Sequence, residues 1–305
     1  MKRLLFVYNA HSGKGAIKTK LAEVVDSMVK AGWRVTIYPT QSRGDAARIV
    51  EAESGDHDLI VCSGGDGTLD EVVTGMMHVA EKKPIGYIPA GSTNDFANSL
   101  KLPKNTQKAT EIALYGEKFA CDVGKFNDNH FIYVAAFGIF TEVSYQTNQE
   151  LKNLLGHAAY ILEGAKSLLD IESYPMRVEC EGKTVEADFI YGMVSNSISV
   201  GGFKQIAGKN VQLDDGVFEV TLIKRPKNPL ELNEIITSLL SRVDNTDLIY
   251  SFKTDHICFY TEKETPWTLD GEYGGAHLSV VVDNCARAVE IMVEREEEEA
   301  AAAKP

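Results

Sequence analysis

Apolar and polar positions alternate with two different periods along this chain, and the period changes near residue 125. In the first part, short apolar runs are separated by stretches with helical spacing. Leu4-Leu5-Phe6-Val7-Tyr8 reads as a strand, and Ile17, Leu21, Val24, Val25 and Met28 then line one face of a helix. Arg34 to Tyr38 is a second strand, and Ala46, Ala47, Ile49 and Val50 mark a second helix. Ile60-Val61-Cys62 and Ile85 to Ile88 are two more strands with a helix between them. Strands alternating with helices predict a parallel sheet covered on both faces, with ligands received at the carboxyl ends of the strands.

Beyond about residue 126 the pattern becomes mostly β. His130 to Ala136, Lys183 to Ser195, Val217 to Ile223, His256 to Tyr260, Trp267 to Leu269, Leu278 to Val282 and Ala288 to Val293 read as strands. Helices are expected at about 147 to 169 and at Pro229 to Leu240, the latter opened by its proline. The expected class is α/β: an N-terminal doubly wound parallel-sheet nucleotide-binding domain over 1–125, then a mostly antiparallel β-sandwich domain over 126–293 for the substrate. Residues 294–305 form an acidic, low-complexity tail.

Charge narrows the partners. The 305 residues carry a net charge of −13, and the tail supplies −3 of it through five Glu against Arg295 and Lys304. The remaining −10 argues against nucleic acid as a partner, which calls for a basic face. The five cysteines are widely spaced, without metal or disulfide spacing; Cys62 and Cys258 lie in apolar runs and read as small buried hydrophobes. That usage fits a reducing cytoplasm. No apolar run reaches membrane-span length, so a soluble or peripheral protein is expected.

Four loops carry candidate chemistry. Gly64-Gly65-Asp66-Gly67-Thr68 follows a buried strand and precedes Leu69, Asp70 and Glu71 on a helix. Glycines let backbone approach a phosphate, helix-opening amides point at it, and Asp66 adds a carboxylate for a divalent ion. Asn9-Ala10-His11-Ser12-Gly13 follows the first strand; it reads equally as a phosphate turn or a tight strand-to-helix connection. Pro89 to Ala97 contains Ser92, Thr93, Asn94 and Asp95, more polar groups than one helix cap needs. Leu269-Asp270-Gly271-Glu272 places two carboxylates at a turn.

Taken together, the N-x-x-S-G turn, the GGDGT turn, the Asn94-Asp95-Phe96-Ala97 loop and the late Asp-Gly-Glu resemble the bacterial diacylglycerol-kinase-like lipid kinases. That family is related to sphingosine kinases and NAD kinases, and the resemblance covers about 1–293. Ala10 stands where the family usually has Pro. The resemblance implies transfer of a phosphoryl group from ATP to a lipid hydroxyl, with diacylglycerol giving phosphatidate, by a cytoplasmic enzyme peripheral to the membrane. ATP contacts are implied at Asn9, Ala10, His11, Ser12, Gly13, Thr40, Gly64 to Glu71 and Ser92. It implies Asp66, helped by Asp95, at a catalytic magnesium, and either Asp270 or Glu272 as the base. It also implies a structural Mg2+ held by Asp215 with the carbonyls of Gln212 and Val217; from the residues alone, Asp215-Gly216 is a turn. Asp122 is implied in the active-site network, with a surface turn as the alternative. A lipid presented at a membrane surface is the expected partner, and a homodimer is kept open. Two other readings stand beside this one: an NAD-kinase-like enzyme with a soluble substrate, and a non-catalytic nucleotide- or lipid-binding regulator.

Overall fold

The computed structural model describes residues 1–139, 172–198, 211–241 and 246–295. The helix expected at about 147 to 169, and the tail beyond Arg295, lie outside the described residues. The chain divides into two compact units, Met1–Ala120 with Val289–Pro305, and Cys121–Ala288.

In the first unit, β1 (Arg3–Tyr8), β2 (Arg34–Pro39), β3 (Leu59–Gly64) and β4 (Ile85–Pro89) are parallel. β1 pairs with β2 on one side and β3 on the other, and β3 pairs with β4. The end of the chain joins this sheet, with Ile291 paired in parallel to Ile85. Helices α1 (Ala16–Lys30), α2 (Asp45–Glu53), α3 (Asp66–His78), α4 (Asp95–Ser99) and α5 (Thr106–Tyr115) alternate with the strands. Leu4, Phe6, Val61 and Ile88 from the sheet pack with Ile17, Val24 and Met28 of α1 and Ala109 and Ala113 of α5. β3 is buried along its whole length, as a parallel strand covered on both faces must be. The first three strands therefore end at Tyr8, Pro39 and Gly64, and β4 at Pro89. All the candidate loops of this unit follow those ends.

The second unit is antiparallel. β5 (Glu117–Phe126) leads into it and pairs with the short β6 (Asn129–Phe131). β7 (Val134–Gly138) and β8 (Tyr174–Cys180) lie end to end between the long strands β9 (Lys183–Ser195) and β12 (His256–Leu269). β10 (Phe218–Lys224) and β11 (Ile249–Thr254) extend the sheet beyond β9, α6 (Pro229–Ser241) lies between them in sequence, and β13 (Glu272–Val293) extends it beyond β12. The described ladders of this unit link into one antiparallel sheet that packs a shared, largely aromatic core. Phe126, Phe137 and Phe259 each meet Trp267 with ring centroids 5.1, 4.8 and 5.1 Å away.

Three expected strand boundaries differ. His256 to Tyr260 and Trp267 to Leu269 are not two strands but parts of β12. His130 to Ala136 is not one strand: the ladder breaks at Ile132 and Tyr133, whose amides turn to the Asp270 carboxylate. Leu278 to Val282 and Ala288 to Val293 are not two strands but parts of β13. The polar stretch between them stays in the strand because Asn284 N–H donates to Asp255 and Arg287 N–H to Asp122.

Candidate active site

Three loops of the first unit meet at backbone-contact distance. Gly13 has φ +53°, and a side chain there would overlap the Ala90 carbonyl oxygen, so the first and third loops touch main chain to main chain. A Cβ on Gly91 would stand 2.6 Å from the Gly65 Cα, so the second and third loops touch in the same way. The glycines are required by this proximity, independently of any ligand. Gly65 N–H reaches the Ser12 hydroxyl at 3.3 Å, tying the first loop to the second. Asn9 supports the first loop by accepting the His11 N–H at 2.9 Å on its side-chain oxygen.

Helix α3 begins at Asp66, with Gly65 as its N-cap residue in extended conformation. Asp66 Oδ2 accepts the Asp95 N–H at 3.0 Å, so this carboxylate joins the second loop to the third at a helix N-terminus. Asp95 is itself buried at the first position of α4. Its neighbour Asn94 does not cap that helix. Asn94 sits in the left-handed region at φ 54° and folds its side chain back, accepting from Gly91 N–H at 2.9 Å and donating to Gly91 C=O at 2.8 Å. Left-handed backbone is tolerated best by Gly, Asn and Asp, which is why Asn serves here.

Tyr87 lies beneath this junction, and its character as an apolar strand residue hides the role. Its hydroxyl donates to the Gly64 carbonyl at 3.2 Å. Burial, reinforced by the Asp66 charge, pushes its phenol well above the ordinary range, so it stays a neutral donor.

The other candidate nucleotide residues divide by what they touch. Thr40 follows β2 and its N–H donates to Tyr8 C=O at 2.9 Å, beside Asn9 at the same sheet edge. Thr68 packs over Gly64, where an added Cβ would collide with it, and its N–H is held by Gly65 C=O. Leu69 is fully buried and belongs to the core. Glu71 caps α2: its two carboxylate oxygens accept Gly44 N–H at 2.8 Å and Ala46 N–H at 3.0 Å. Asp45 closes the same segment by accepting Gln41 N–H at 2.7 Å and pairing with Arg48. The Gln41 amide holds the Asp45 carboxyl below its ordinary range. Together, Asp45 and Glu71 fix the backbone that follows Thr40.

In the second unit, Asp270 and Gly271 form a two-residue hairpin between β12 and β13, with Leu269 paired to Glu272. Both have positive φ, 50° and 82°, as a primed turn requires. Asp270 is 4 % exposed. Its carboxylate accepts Ile132 N–H at 2.6 Å, Tyr133 N–H at 3.0 Å and Val134 N–H at 2.9 Å. Glu272 opens β13 and is exposed. Separated by Gly271 alone, the two carboxylates have different surroundings.

The Asp215 turn is stapled from behind. Asp122 is fully buried, not at a surface turn, and accepts Gly216 N–H and Arg287 N–H, each at 2.7 Å. Asp215 Oδ2 meets Lys253 Nζ at 3.0 Å, and the same ammonium meets Glu219 at 2.9 Å. Asp215 Oδ1 accepts Val217 N–H at a longer 3.3 Å. A divalent ion at this turn would have to share the Asp215 carboxylate with Lys253 and the Val217 N–H. Lys253 has a second acid to retain it if a metal takes an Asp215 oxygen, and Gly216 at φ +79° turns the backbone sharply here.

Comparison with known proteins places the family. Residues 3–126 match the diacylglycerol kinase catalytic domain. Over 278 residues the chain is 35% identical to a diacylglycerol kinase of Staphylococcus carnosus, covering 90% of each. Over 303 residues it is 32% identical to one from Bacillus subtilis, covering 98% of this chain and 99% of that one. The crystal structure of a diacylglycerol kinase from Bacillus anthracis superposes with a TM-score of 0.76 at 22% identity, covering 96% of this chain and 97% of that one, a likeness of fold. The chain belongs to the diacylglycerol kinase family.

Proposed function

We propose that this protein transfers the γ-phosphoryl group of ATP to the hydroxyl of diacylglycerol, giving phosphatidate. The observation that carries the reading is the junction of three loops at one sheet edge, with Asp66 bonded across it. Such an edge offers backbone amides and a helix start to a polyphosphate, which is the main requirement of phosphoryl transfer.

The roles follow from the surroundings. Asn9 to Gly13, Thr40, Gly64 to Thr68 and Ser92 cradle ATP, by main chain where glycines leave room. Leu69, Asp70 and Glu71 hold that cradle in place from α3. Asp66 and Asp95 supply carboxylates for Mg2+, which when bound would draw charge from the transferring phosphate. Glu272 accepts the hydroxyl proton. Asp270 positions it, because a carboxylate committed to three amides is a frame for the hairpin. The Asp215 turn with the carbonyls of Gln212 and Val217 holds a second, structural Mg2+. The enzyme works in the cytoplasm at a membrane surface, where its lipid is presented. No helix among the described residues is long and apolar enough to cross a membrane.

The test is transfer of labelled phosphate from ATP to a panel containing diacylglycerol, monoacylglycerol, ceramide, sphingosine, undecaprenol and NAD. Labelling of diacylglycerol above all others is expected. Labelling of NAD alone would move the protein to a soluble-substrate class, and labelling of another lipid would overturn the named acceptor.

A further inference from the structure

Strand alternation splits β12 into two faces. Ile257 and Phe259 are 1% and 2% exposed and lie in the core. His256, Cys258 and Tyr260 therefore share the opposite face. Residues directly across a ladder share a face too. Asp283 of β13 opposes His256, while Glu179 and Arg177 of β8 oppose Cys258 and Tyr260. Cys258 thus stands among polar and charged groups. It is buried, as its apolar run predicts, with 9% exposed and Val281 opposite it on β13, yet its face of the strand also carries these polar groups.

The three groups form a chain. His256 Nδ1 lies 2.6 Å from Asp283 Oδ1, and His256 Nε2 lies 3.3 Å from Cys258 Sγ. An ionised carboxylate only accepts, so Nδ1 carries the proton and Nε2 presents its lone pair to the thiol. His256 and Asp283 are about half exposed, with side-chain values of 52% and 45%, so water and small solutes reach the relay. Tyr260 lies on the same face, and the nearby Cys258 thiol raises its phenol above the ordinary range. Arg177 covers the Tyr260 ring at 4.4 Å and pairs with Glu179.

We propose that Cys258, His256 and Asp283 form a reactive-thiol site whose co-reactant is a small peroxide. The Cys258 S–H proton passes to His256 Nε2, and Asp283 stabilises the resulting imidazolium. The sulfur attacks one peroxide oxygen as the O–O bond breaks. The departing hydroxide takes the proton from Nε2 and leaves as water. Sulfur is oxidised to a sulfenic acid and the peroxide is reduced, with no further electron carrier. Such a site gives this unit a modification chemistry separate from phosphoryl transfer.

The chain contains its own references. Cys62 and Cys121 are fully buried, and burial pushes both thiols far above their ordinary range; Cys180 and Cys285 are partly exposed. The experiment exposes the full-length protein to hydrogen peroxide with a sulfenic-acid trap and follows each cysteine by peptide mass spectrometry. Cys258 is expected to trap at least about 10-fold faster than Cys180 or Cys285, and His256→Gln to remove that advantage. Asp283→Asn should lower the rate by less. Circular dichroism and melting of both variants check that the sheet survives. Equal trapping of Cys258 and Cys180 in the unaltered protein, or an undiminished rate in folded His256→Gln, would overturn the proposal. Because trapping is read per cysteine without ATP or lipid, the result is independent of the kinase reading.

Discussion

Asp66 and Asp270 both stand beside a glycine at the end of a buried strand, yet the two units use them differently. Asp66 starts a helix and bridges two loops by accepting the Asp95 N–H. Asp270 closes a hairpin and draws in three successive amides at the entry to β7. The first unit brings its candidate loops together by backbone proximity, where Gly13 and Gly91 leave no space for side chains. The second builds its site from a buried charge that bends the backbone to itself. Carboxylates at two glycine turns thus sit in different amide surroundings, and substitution can test whether their roles differ as well.

The strongest test of this contrast is Asp66→Ala. If Asp66 organises metal and phosphate as proposed, its removal is expected to lower turnover by at least about 100-fold. The fold should persist, since one loop-to-loop bond is lost. Turnover near that of the unaltered enzyme in a folded variant would assign Asp66 to architecture.

The hairpin pair sharpens it next. Glu272→Gln is expected to lower kcat by about 100-fold with little change in KM for ATP or in melting temperature. Asp270→Asn should do the opposite in kind. Its amide nitrogen would face a backbone N–H whichever way it turned, leaving donor against donor. A destabilisation of about 2 kcal/mol is expected, read by denaturant unfolding, with activity falling as the hairpin loosens. A stable Asp270→Asn variant with a collapsed kcat would exchange the roles of the two carboxylates.

A third expectation compares the turns that would hold ions. If the Asp215 turn holds Mg2+, magnesium should raise the melting temperature of the unaltered protein. At a concentration about 100 times the dissociation constant the gain is about 2.7 kcal/mol. Asp215→Ala should abolish most of it. Equal magnesium-dependent shifts in both proteins would remove the ion from this turn.

The parallel half was legible because its periods are long and clean, and each candidate loop follows a strand end. The strand end and helix start around Gly64 to Thr68 were readable because glycine and a helix start are local signals. What stayed hidden was pairing at a distance. Nothing near Glu71 in sequence says that it caps α2, because its amide partners lie 27 and 25 residues earlier. Nothing near Ile132 says that the strand must break, because the cause is Asp270, 138 residues away. Tyr87 looked like strand filler, since only its hydroxyl is polar and its partner comes from another loop. Cys258 read as a buried hydrophobe and is buried, but its contact with the His256 ring, which Asp283 of the next strand holds, left no signal in the sequence.

The smallest expected effect concerns the support behind Thr40. Asp45 and Glu71 hold the segment from Gln41 to Ala46 by accepting its amides, as Asp122 holds Gly216 in the other unit. The Gln41 amide lowers the Asp45 pKa in the folded state, with Arg48 contributing to the same end. A carboxyl with a depressed folded pKa binds its proton more readily in the unfolded chain. Its stabilisation is therefore complete above the ordinary aspartate range and disappears as pH falls through the folded pKa. Asp45→Asn should melt below the unaltered protein at neutral pH, and the two melting curves should converge as the pH falls below about 4. The KM for ATP should rise modestly at neutral pH, because the loop after Thr40 loses one anchor and keeps Glu71. A melting gap that stayed constant from neutral to acidic pH would show that shape at position 45, and not its charge, supports the loop.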